Sequence, residues 1–456
     1  MVRTELVQHV LIVALLIGVG AASTVRVGAV DAGDVARSAD EAAQVAFDKH
    51  RLPALAVAVM RGTEIVLAKG YGLADVALGV PATPTTVFEV GSITKQFTAA
   101  AIMRLVERGL IDLEEPITTY LPDYPTQGHS PSVEQLLRHT SGIQDFIVMP
   151  EFWELAGDLD RPRDELVDMF KKEPFVFAPG ARWAYSNSNY TLLGLIIEAA
   201  TGASYSDFLY DTFFAPLGLS STRVCDSLPG AGRAQGYALD SGVVDAAPAE
   251  NMAWALGDGA ICSSVVDLAT WQHALVTGQV VRPESYERMI SRATLLDGET
   301  PPYGFGLSLL DLDGRAKVAH SGRMGGFSGA LAYYPEDDVT VAILTNLAGI
   351  EPEIVERTVA RAVLGLPAPA LHEVALPADR QRYVGHFDTG VFPLVIRDDG
   401  DRLLAEAVGL WPLIYQGDGT FVVEDGADAI RLAFGEAAQD VQLEFAGMLW
   451  YGRRVP

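Results

Sequence analysis

Short β-like runs stand at both ends of the segment from residue 39 to about residue 366. The runs 55–60 and 65–68 flank a polar turn near its start, and the runs 329–334 and 339–344 flank another near its end. Amphipathic helical stretches lie between these pairs, among them 94–108, 192–200 and 268–276. Strands need hydrogen-bonding partners, so the pattern predicts an α+β domain in which a sheet joins the two ends.

A proline-rich stretch, 366–370, separates this segment from a C-terminal region of different character. The predicted domains are therefore 31–366 and 372–456. In the second domain, short apolar runs alternate with Gly and Asp turns, at 392–397, 403–407, 421–423 and 430–434. This spacing is typical of a small antiparallel β-barrel or sandwich.

The first 22 residues have the pattern of a secretory signal. Arg3 precedes an apolar run at 10–19, and small residues follow at 20–23. The run is about half as long as the roughly 20 residues that a membrane-spanning helix needs. We expect residues 1–30 to be a cleaved leader and the mature chain to be periplasmic or secreted, without stable membrane insertion. An uncleaved anchor is the alternative.

The net charge of −26 argues against two classes of partner. Nucleic acids and anionic membrane surfaces both require clustered Lys and Arg, whereas this chain has 59 acidic and 33 basic residues. The His residues show no ligand spacing, so we expect neither a metal nor another cofactor. Cys225 and Cys262 either form a disulfide or pack as small buried side chains.

Ser92 and Lys95 form the only Ser-x-x-Lys sequence in a chain that contains six Lys residues. They open a predicted helix and lie one turn apart on the same side of it. A Ser beside an amine is a nucleophile with a potential base, provided that burial lowers the pKa of the amine. In the alternative, Ser92 is only a helix cap and Lys95 a solvated side chain.

Two further motifs decide between these alternatives. Tyr-Ser-Asn at 185–187 precedes a helix that begins near residue 190, and His-Ser-Gly at 320–322 precedes the last strands. Together with Ser-x-x-Lys, this order resembles the motifs of the serine penicillin-recognising enzymes, which include class C β-lactamases, D-Ala-D-Ala carboxypeptidases, esterases and D-aminopeptidases. The flanking sequences at 136–142 and 179–187 resemble the same family, and the likeness runs from about residue 42 to residue 347.

The resemblance implies a fold for each domain. The larger domain is expected to be β-lactamase/transpeptidase-like, with an antiparallel sheet covered by helices and an all-helical part. The C-terminal domain resembles the lipocalin-like β-barrels that follow such hydrolases, and the sequence at 383–387 is similar to their opening strand. This barrel either shapes the mouth of the active site or mediates assembly.

The resemblance also implies a role for each motif residue. Ser92 attacks an amide or ester carbonyl and forms an acyl-enzyme, while Lys95 and Tyr185 transfer protons. Tyr185 can act as a base only if cations favour its anion or if proton transfer is concerted. Asn187 holds the amide of the substrate, and the N–H groups of Ser92 and Arg323 form the oxyanion hole.

His320, Ser321 and Gly322 are expected to bind substrate. His320 stands where the β-lactamases have Lys, and it replaces a permanent charge by a group that titrates at about pH 6.5. Support for a substrate carboxylate should then weaken above this pH, which argues against efficient β-lactamase activity, and His320→Lys should extend activity to higher pH. The Arg323 side chain either restores the carboxylate contact or is an ordinary surface arginine.

Several residues outside the motifs are interpreted as packing. His139 is expected to anchor a turn in the core, and Cys262 to pack on an inner strand. Phe146, Phe152 and Trp153 lie between the first two motifs, where we expect core or rim packing rather than the lining of a cleft.

The sequence therefore predicts an exported serine hydrolase that acts through a Ser92 acyl-enzyme on small peptide-like amides or esters. D-Ala-D-Ala carboxypeptidase-like or D-amino-acid peptidase activity is the first expectation, because the third motif and the leader both fit it. The alternatives are an esterase that uses the same site and a penicillin-binding sensor or scaffold that does not turn over. The oligomeric state does not follow from the sequence.

Overall fold

The computed structural model describes residues 32–225, 232–240, 243–369, 371, 374–389, 392–407, 410–423, 430–435, 437–445 and 448–455. The predicted secretory signal lies outside these residues. Within them, no helix is both long enough and apolar enough to cross a membrane.

An antiparallel sheet forms the centre of the main domain, by which we mean the described residues of 32–369. In chain order, the strands of this domain are β1 (Ala54–Arg61), β2 (Glu64–Asp75), β3 (Val80–Pro81), β4 (Phe88–Glu89), β5 (Arg223–Val224), β6 (Tyr237–Asp240), β7 (Val243–Ala246), β8 (Ile261–Ser263), β9 (Ser308–Leu312), β10 (Arg315–Met324), β11 (Phe327–Tyr334) and β12 (Val339–Thr345). The central sheet has the order β3-β2-β1-β12-β11-β10-β9. Val57 of β1 lies opposite Ile343 of β12, so the sheet joins the two ends of the domain, as the sequence predicts.

Helices cover the sheet and also form a part without strands between β4 and β5. In chain order they are α1 (Ala32–His50), α2 (Thr94–Glu107), α3 (Val133–Leu137), α4 (Pro150–Leu155), α5 (Arg163–Phe170), α6 (Asn187–Thr201), α7 (Tyr205–Leu209), α8 (Ala215–Leu217), α9 (Val265–Val276), α10 (Pro283–Met289) and α11 (Pro352–Leu364). Helices α2, α6 and α9 correspond to the three predicted helical stretches. Helix α9 begins earlier than predicted because the Ser264 side chain accepts a hydrogen bond from the Asp267 N–H group and caps the first turn.

Strand β1 is buried on both faces, and its side chains alternate between two cores. Ala56 and Ala58 face the core that contains α2 and α9. Val57 and Val59 face the other core, which contains α1 and α11. Small side chains on the first face let α9 pack closely against β1.

The C-terminal domain is a closed antiparallel barrel. Its strands are β13 (Gly385–Asp388), β14 (Pro393–Asp398), β15 (Leu403–Glu406), β16 (Leu410–Gly417), β17 (Thr420–Val423), β18 (Arg431–Phe434), β19 (Asp440–Phe445) and β20 (Met448–Val455). The barrel closes because β13 pairs with β20, with His386 opposite Val455. Alternate residues such as Leu394 and Leu443 are buried in its core. Of the two predicted architectures, the barrel is the one that forms.

Cys225 and Cys262 form a disulfide, so the expectation that Cys262 only packs on its strand is wrong. The Cα atoms are 5.3 Å apart, and the two residues are separated by 37 positions in the chain. Cys262 lies on β8, which pairs with both β4 and β5. The sequence left the pairing open because only the fold brings β5 beside β8.

Loss of this disulfide should destabilise the main domain. A cross-link that closes a loop of this length lowers the entropy of the unfolded chain and thereby raises its free energy by about 3–4 kcal/mol. The double variant Cys225→Ala/Cys262→Ala should therefore show a free energy of unfolding lower by that amount in urea denaturation. Dithiothreitol should lower the free energy of unfolding of the original chain and leave that of the double variant unchanged. Equal stability of the oxidised and reduced chains would contradict the pairing.

Candidate active site

Ser92 lies in a tight turn, Gly91–Ile93, that runs directly into α2. Strand β10 passes against this turn because glycines stand at the contact. A Cβ atom at Gly322 would lie 2.9 Å from the Ser92 nitrogen, and a Cβ atom at Gly91 would lie 2.7 Å from the Arg323 nitrogen. Gly91 also has a φ of +51°, a conformation that side chains disfavour. The first and third motifs therefore meet backbone to backbone.

Strand β10 has an open edge next to Ser92. Strand β9 pairs with β10 only as far as Ala319, whereas β10 continues to Met324. The backbone nitrogens of Ser92 and Arg323 both adjoin the contact between the turn and this edge. Two N–H donors beside a nucleophile are what an oxyanion hole requires.

Lys95 is fully buried beneath Ser92. Its Nζ atom donates hydrogen bonds to Ser92 Oγ (3.0 Å), Asn187 Oδ1 (2.7 Å) and the Asp258 carbonyl (2.8 Å). Burial lowers the pKa of Lys95 to about 8, although the charges of Asp258 and Asp145 act in the opposite direction. Near this pH, much of Lys95 is neutral and has a lone pair that can accept the Ser92 proton.

The Tyr185 phenol is buried beside the same hydroxyl group. It hydrogen-bonds with the Ser92 side chain, and Lys95 Nζ lies 4.9 Å from the centre of its ring. Burial raises the pKa of Tyr185 well above its ordinary value, so the phenol is protonated at neutral pH. Of the two routes that the sequence leaves open for Tyr185, this favours concerted proton transfer over a stable anion.

Asn187 is the first residue of α6 and is held by Asp145, which the sequence analysis missed. The Asn187 N–H group donates to Asp145 Oδ1 (3.0 Å), and Asn187 Nδ2 donates to Asp145 Oδ2 (3.2 Å). Burial raises the pKa of Asp145 to about 6, against the hydrogen bonds that lower it. Since Asn187 Oδ1 accepts from Lys95, this pair positions the Lys95 amine. The contact of Asn187 with a substrate amide stays a prediction.

His320 is buried and neutral, so the expected titration at about pH 6.5 is wrong. The Ser321 carbonyl can only accept a hydrogen bond, so the His320 proton lies on Nδ1, which donates to this carbonyl (2.6 Å). The Nε2 atom accepts a hydrogen bond from the Tyr303 hydroxyl (2.9 Å). Burial, and then the charge of Lys95, lowers the pKa of His320 to about 3. The third motif therefore contributes no positive charge from His320 at neutral pH.

The Arg323 side chain pairs with carboxylates of the protein itself. Its guanidinium group binds Glu351 and also Glu353, the latter at 2.9 Å. Of the two roles that the sequence leaves open for this side chain, the contact with a substrate carboxylate is disfavoured, because the guanidinium group is already paired. Ser321 and Gly322 precede Arg323 on β10, where Ser321 is buried and Gly322 makes the close contact with the Ser92 turn.

A cavity of about 380 Å³ opens onto Ser92 and has aromatic walls. Phe146, Phe152 and Trp153 line this cavity. Phe146 also packs in the core and Phe152 packs against it, so the expected packing holds for these two residues, but the sequence does not show that they line a cleft as well. Trp254, which the sequence analysis missed, lines it as well, with its ring centre 6.0 Å from that of Phe152. Apolar walls with few polar groups are typical of sites for small molecules.

His139 lies in the core, as the sequence predicts, and supports the segment that carries Tyr185. It is fully buried with a φ of +57°. Its Nδ1 atom accepts a hydrogen bond from the Ser186 N–H group at 3.1 Å, and its ring centre is 4.4 Å from that of Tyr185. His139 therefore helps to orient the second motif without lining the cavity.

The barrel packs against the Tyr185 side of the site. Trp450 of β20 is buried, and its ring centre lies 5.5 Å from that of Trp183 and 6.4 Å from that of Tyr185. Tyr303 belongs to the same cluster, with its ring centre 6.3 Å from that of Tyr185. A residue of the C-terminal domain thus forms part of the surroundings of Tyr185.

The rate of Ser92 acylation should rise with pH through a midpoint of about 8. Below this pKa, Lys95 is mostly an ammonium and cannot accept the Ser92 proton; above it, the neutral amine predominates. The midpoint can be read from kcat/KM for an uncharged ester. His320→Asn should keep the same midpoint, because His320 does not titrate in this range. A midpoint that shifts in His320→Asn would contradict this assignment.

Trp450→Ala should lower kcat by about tenfold, because Tyr185 loses part of the surface that orients it. Truncation of a buried Trp should also cost about 3–5 kcal/mol of stability. Trp411→Ala is the matched control, since Trp411 lies in the same barrel and packs against Phe445, with ring centres 4.9 Å apart. Both variants are assayed at a temperature at which circular dichroism shows them folded. An equal loss of kcat in both variants would contradict the specific role of Trp450.

Comparisons with known proteins give a consistent result. Residues 36–365 match the β-lactamase family. The chain is 32% identical to penicillin-binding protein 4* of Bacillus subtilis over 318 residues, which are 66% of this chain and 69% of that protein. It is 27% identical to the D-aminopeptidase of Brucella canis over 388 residues, 84% of this chain and 73% of that protein.

The fold is also similar to a solved structure, the octameric penicillin-binding protein homologue from Pyrococcus abyssi. The TM-score is 0.66 at 26% identity, and the match covers 92% of this chain and all of that one. The family match spans Ser92, Lys95 and Tyr185, which the fold brings into one cluster beside the cavity. This chain therefore belongs to the β-lactamase family and is a serine hydrolase.

Proposed function

We propose that this protein hydrolyses amide bonds of D-amino acid peptides or amides through an acyl-enzyme on Ser92. Its family and its similarity to a D-aminopeptidase support this reaction class. The observation that carries the proposal is the charge of the site. Among the described residues that line the cavity, the one basic side chain is already paired with protein carboxylates.

The geometry suits a two-step reaction. Neutral Lys95 takes the Ser92 proton as Ser92 Oγ attacks the substrate carbonyl. The N–H groups of Ser92 and Arg323 stabilise the resulting oxyanion. As the C–N bond breaks, Tyr185 gives its proton to the leaving amine and receives one from Lys95. Water then attacks the acyl-enzyme, Lys95 takes its proton, and that proton returns to Ser92 Oγ as the acid leaves.

The site offers little to a substrate with a carboxylate beside the scissile bond. D-Ala-D-Ala peptides and penicillins both carry such a group, and its burial requires a cationic partner. His320 is neutral, and Arg323 is occupied by Glu351 and Glu353. Of the two activities that the sequence suggests first, this supports the D-amino-acid peptidase rather than the carboxypeptidase.

An esterase is the second candidate, because the same catalytic groups act on esters and the cavity walls are aromatic. A sensor without turnover is disfavoured, since Lys95, Tyr185 and Ser92 are all in contact.

Export from the cytoplasm is also part of the proposal. The signal-like first residues support it, as does the Cys225–Cys262 disulfide, because disulfides persist in oxidising compartments.

The proposal can be tested with the original chain and Ser92→Ala. D-alanine p-nitroanilide should be cleaved. A fluorophosphonate should transfer one phosphonyl group to the original chain, with loss of fluoride, and none to Ser92→Ala. Release of D-alanine from a D-Ala-D-Ala peptide should be slower than cleavage of the anilide by about tenfold or more, because no unpaired basic side chain in the described part of the cavity can bind the carboxylate of the peptide. Intact-mass measurement and release of p-nitroaniline are the readouts.

Four other outcomes would each argue against a part of this proposal. Faster cleavage of the D-Ala-D-Ala peptide would overturn the proposed substrate class. Rapid turnover of p-nitrophenyl esters without amide cleavage would favour the esterase. A stable penicillin adduct without any turnover would favour the sensor. Labelling that persists in Ser92→Ala would contradict the assigned nucleophile.

A further inference from the structure

The carboxylate of Glu250 lines the same cavity as Ser92. Glu250 is partly buried and accepts a hydrogen bond from the Gly325 N–H group. Gly325 lies two residues after Arg323, and a Cβ atom on it would lie 2.7 Å from Glu250 Cδ. Glycine at this position therefore leaves room for a carboxylate beside the segment that contributes to the oxyanion hole.

Within the described part of the chain, no basic side chain forms an ion pair with Glu250. Arg323, the basic residue that lines the cavity, pairs with Glu351 and Glu353 instead. Burial raises the pKa of Glu250, because its anion lacks a compensating charge. A cation that entered the cavity would provide the missing partner.

The place of Glu250 matches one part of an aminoacyl substrate. When the substrate carbonyl lies between Ser92 and Arg323, its α-amino group is attached to the adjacent carbon atom. The bond to Gly325 holds the Glu250 carboxylate near this region. The indole of Trp254 on the cavity wall adds a second surface that attracts cations.

We propose that Glu250 binds the α-ammonium group of the acyl residue and thereby selects substrates with a free amino terminus. This rests on the proposed function, since it names the group that recognises that substrate. A charge-assisted hydrogen bond would hold the ammonium. An N-acetylated substrate would instead leave the carboxylate facing a neutral amide.

The test compares D-alanine p-nitroanilide with its N-acetyl derivative. The readout is the ratio of their kcat/KM values, which should exceed one in the original chain and fall at least about tenfold in Glu250→Gln. Glutamine has nearly the same shape and keeps an oxygen that can accept from Gly325. Glu154→Gln is the matched control, because Glu154 is an exposed carboxylate on α4 beside the cavity-lining Trp153, and it should keep the original ratio.

A second pair of substrates separates this inference from the proposed function. If neither anilide is cleaved, the amide-hydrolase proposal fails, but D-alanine benzyl ester and its N-acetyl derivative still measure the same preference. Without any turnover, D-alaninamide should slow fluorophosphonate labelling of Ser92 more than N-acetyl-D-alaninamide does, and Glu250→Gln should abolish the difference. An unchanged preference in Glu250→Gln, with Ser92 still labelled, would overturn the role of Glu250.

Discussion

The burial of one ammonium group, that of Lys95, is the constraint on which the active centre depends. An amine removed from water needs an acceptor for each of its protons. One acceptor is local, the Ser92 hydroxyl just before α2. The fold supplies the other two from distant parts of the chain: the Asn187 amide at the start of α6 and the Asp258 carbonyl ahead of β8. The same desolvation lowers the pKa of Lys95, so this amine can lose its proton at a lower pH than an exposed lysine.

Much of the fold could be predicted because its signals are local. Alternating apolar runs located the central sheet and the barrel, and the three motifs located Ser92, Lys95 and Tyr185. Asp145 and Glu250 could not be predicted, since a single acidic residue in a loop carries no periodicity. Their importance comes from neighbours that are remote in the chain, Asn187 and Gly325, and only the tertiary structure brings these together.

The charge of His320 in the third motif could not be predicted from the behaviour of a free imidazole in solution. An isolated imidazole is half-protonated at about pH 6.5, and the sequence offers no reason to expect otherwise for His320. In the fold, the ring is dehydrated and lies near Lys95, so a second positive charge would be doubly unfavourable. Tyr303 satisfies the free nitrogen without adding charge. The site is therefore poorer in cations than its sequence suggests.

The contact between the barrel and the main domain has a consequence for how such a protein can change over time. Trp450 packs against Trp183 and Tyr185, and Arg357 of α11 forms an ion pair with Glu444 of β19. The two domains are thus not interchangeable modules, although a proline-rich linker joins them. If an unrelated barrel replaced this one, aromatic side chains of the main domain would become exposed and the buried Arg357 guanidinium would lose the partner that Glu444 provides. Substitutions in one domain at this boundary therefore limit which substitutions the other domain can accept.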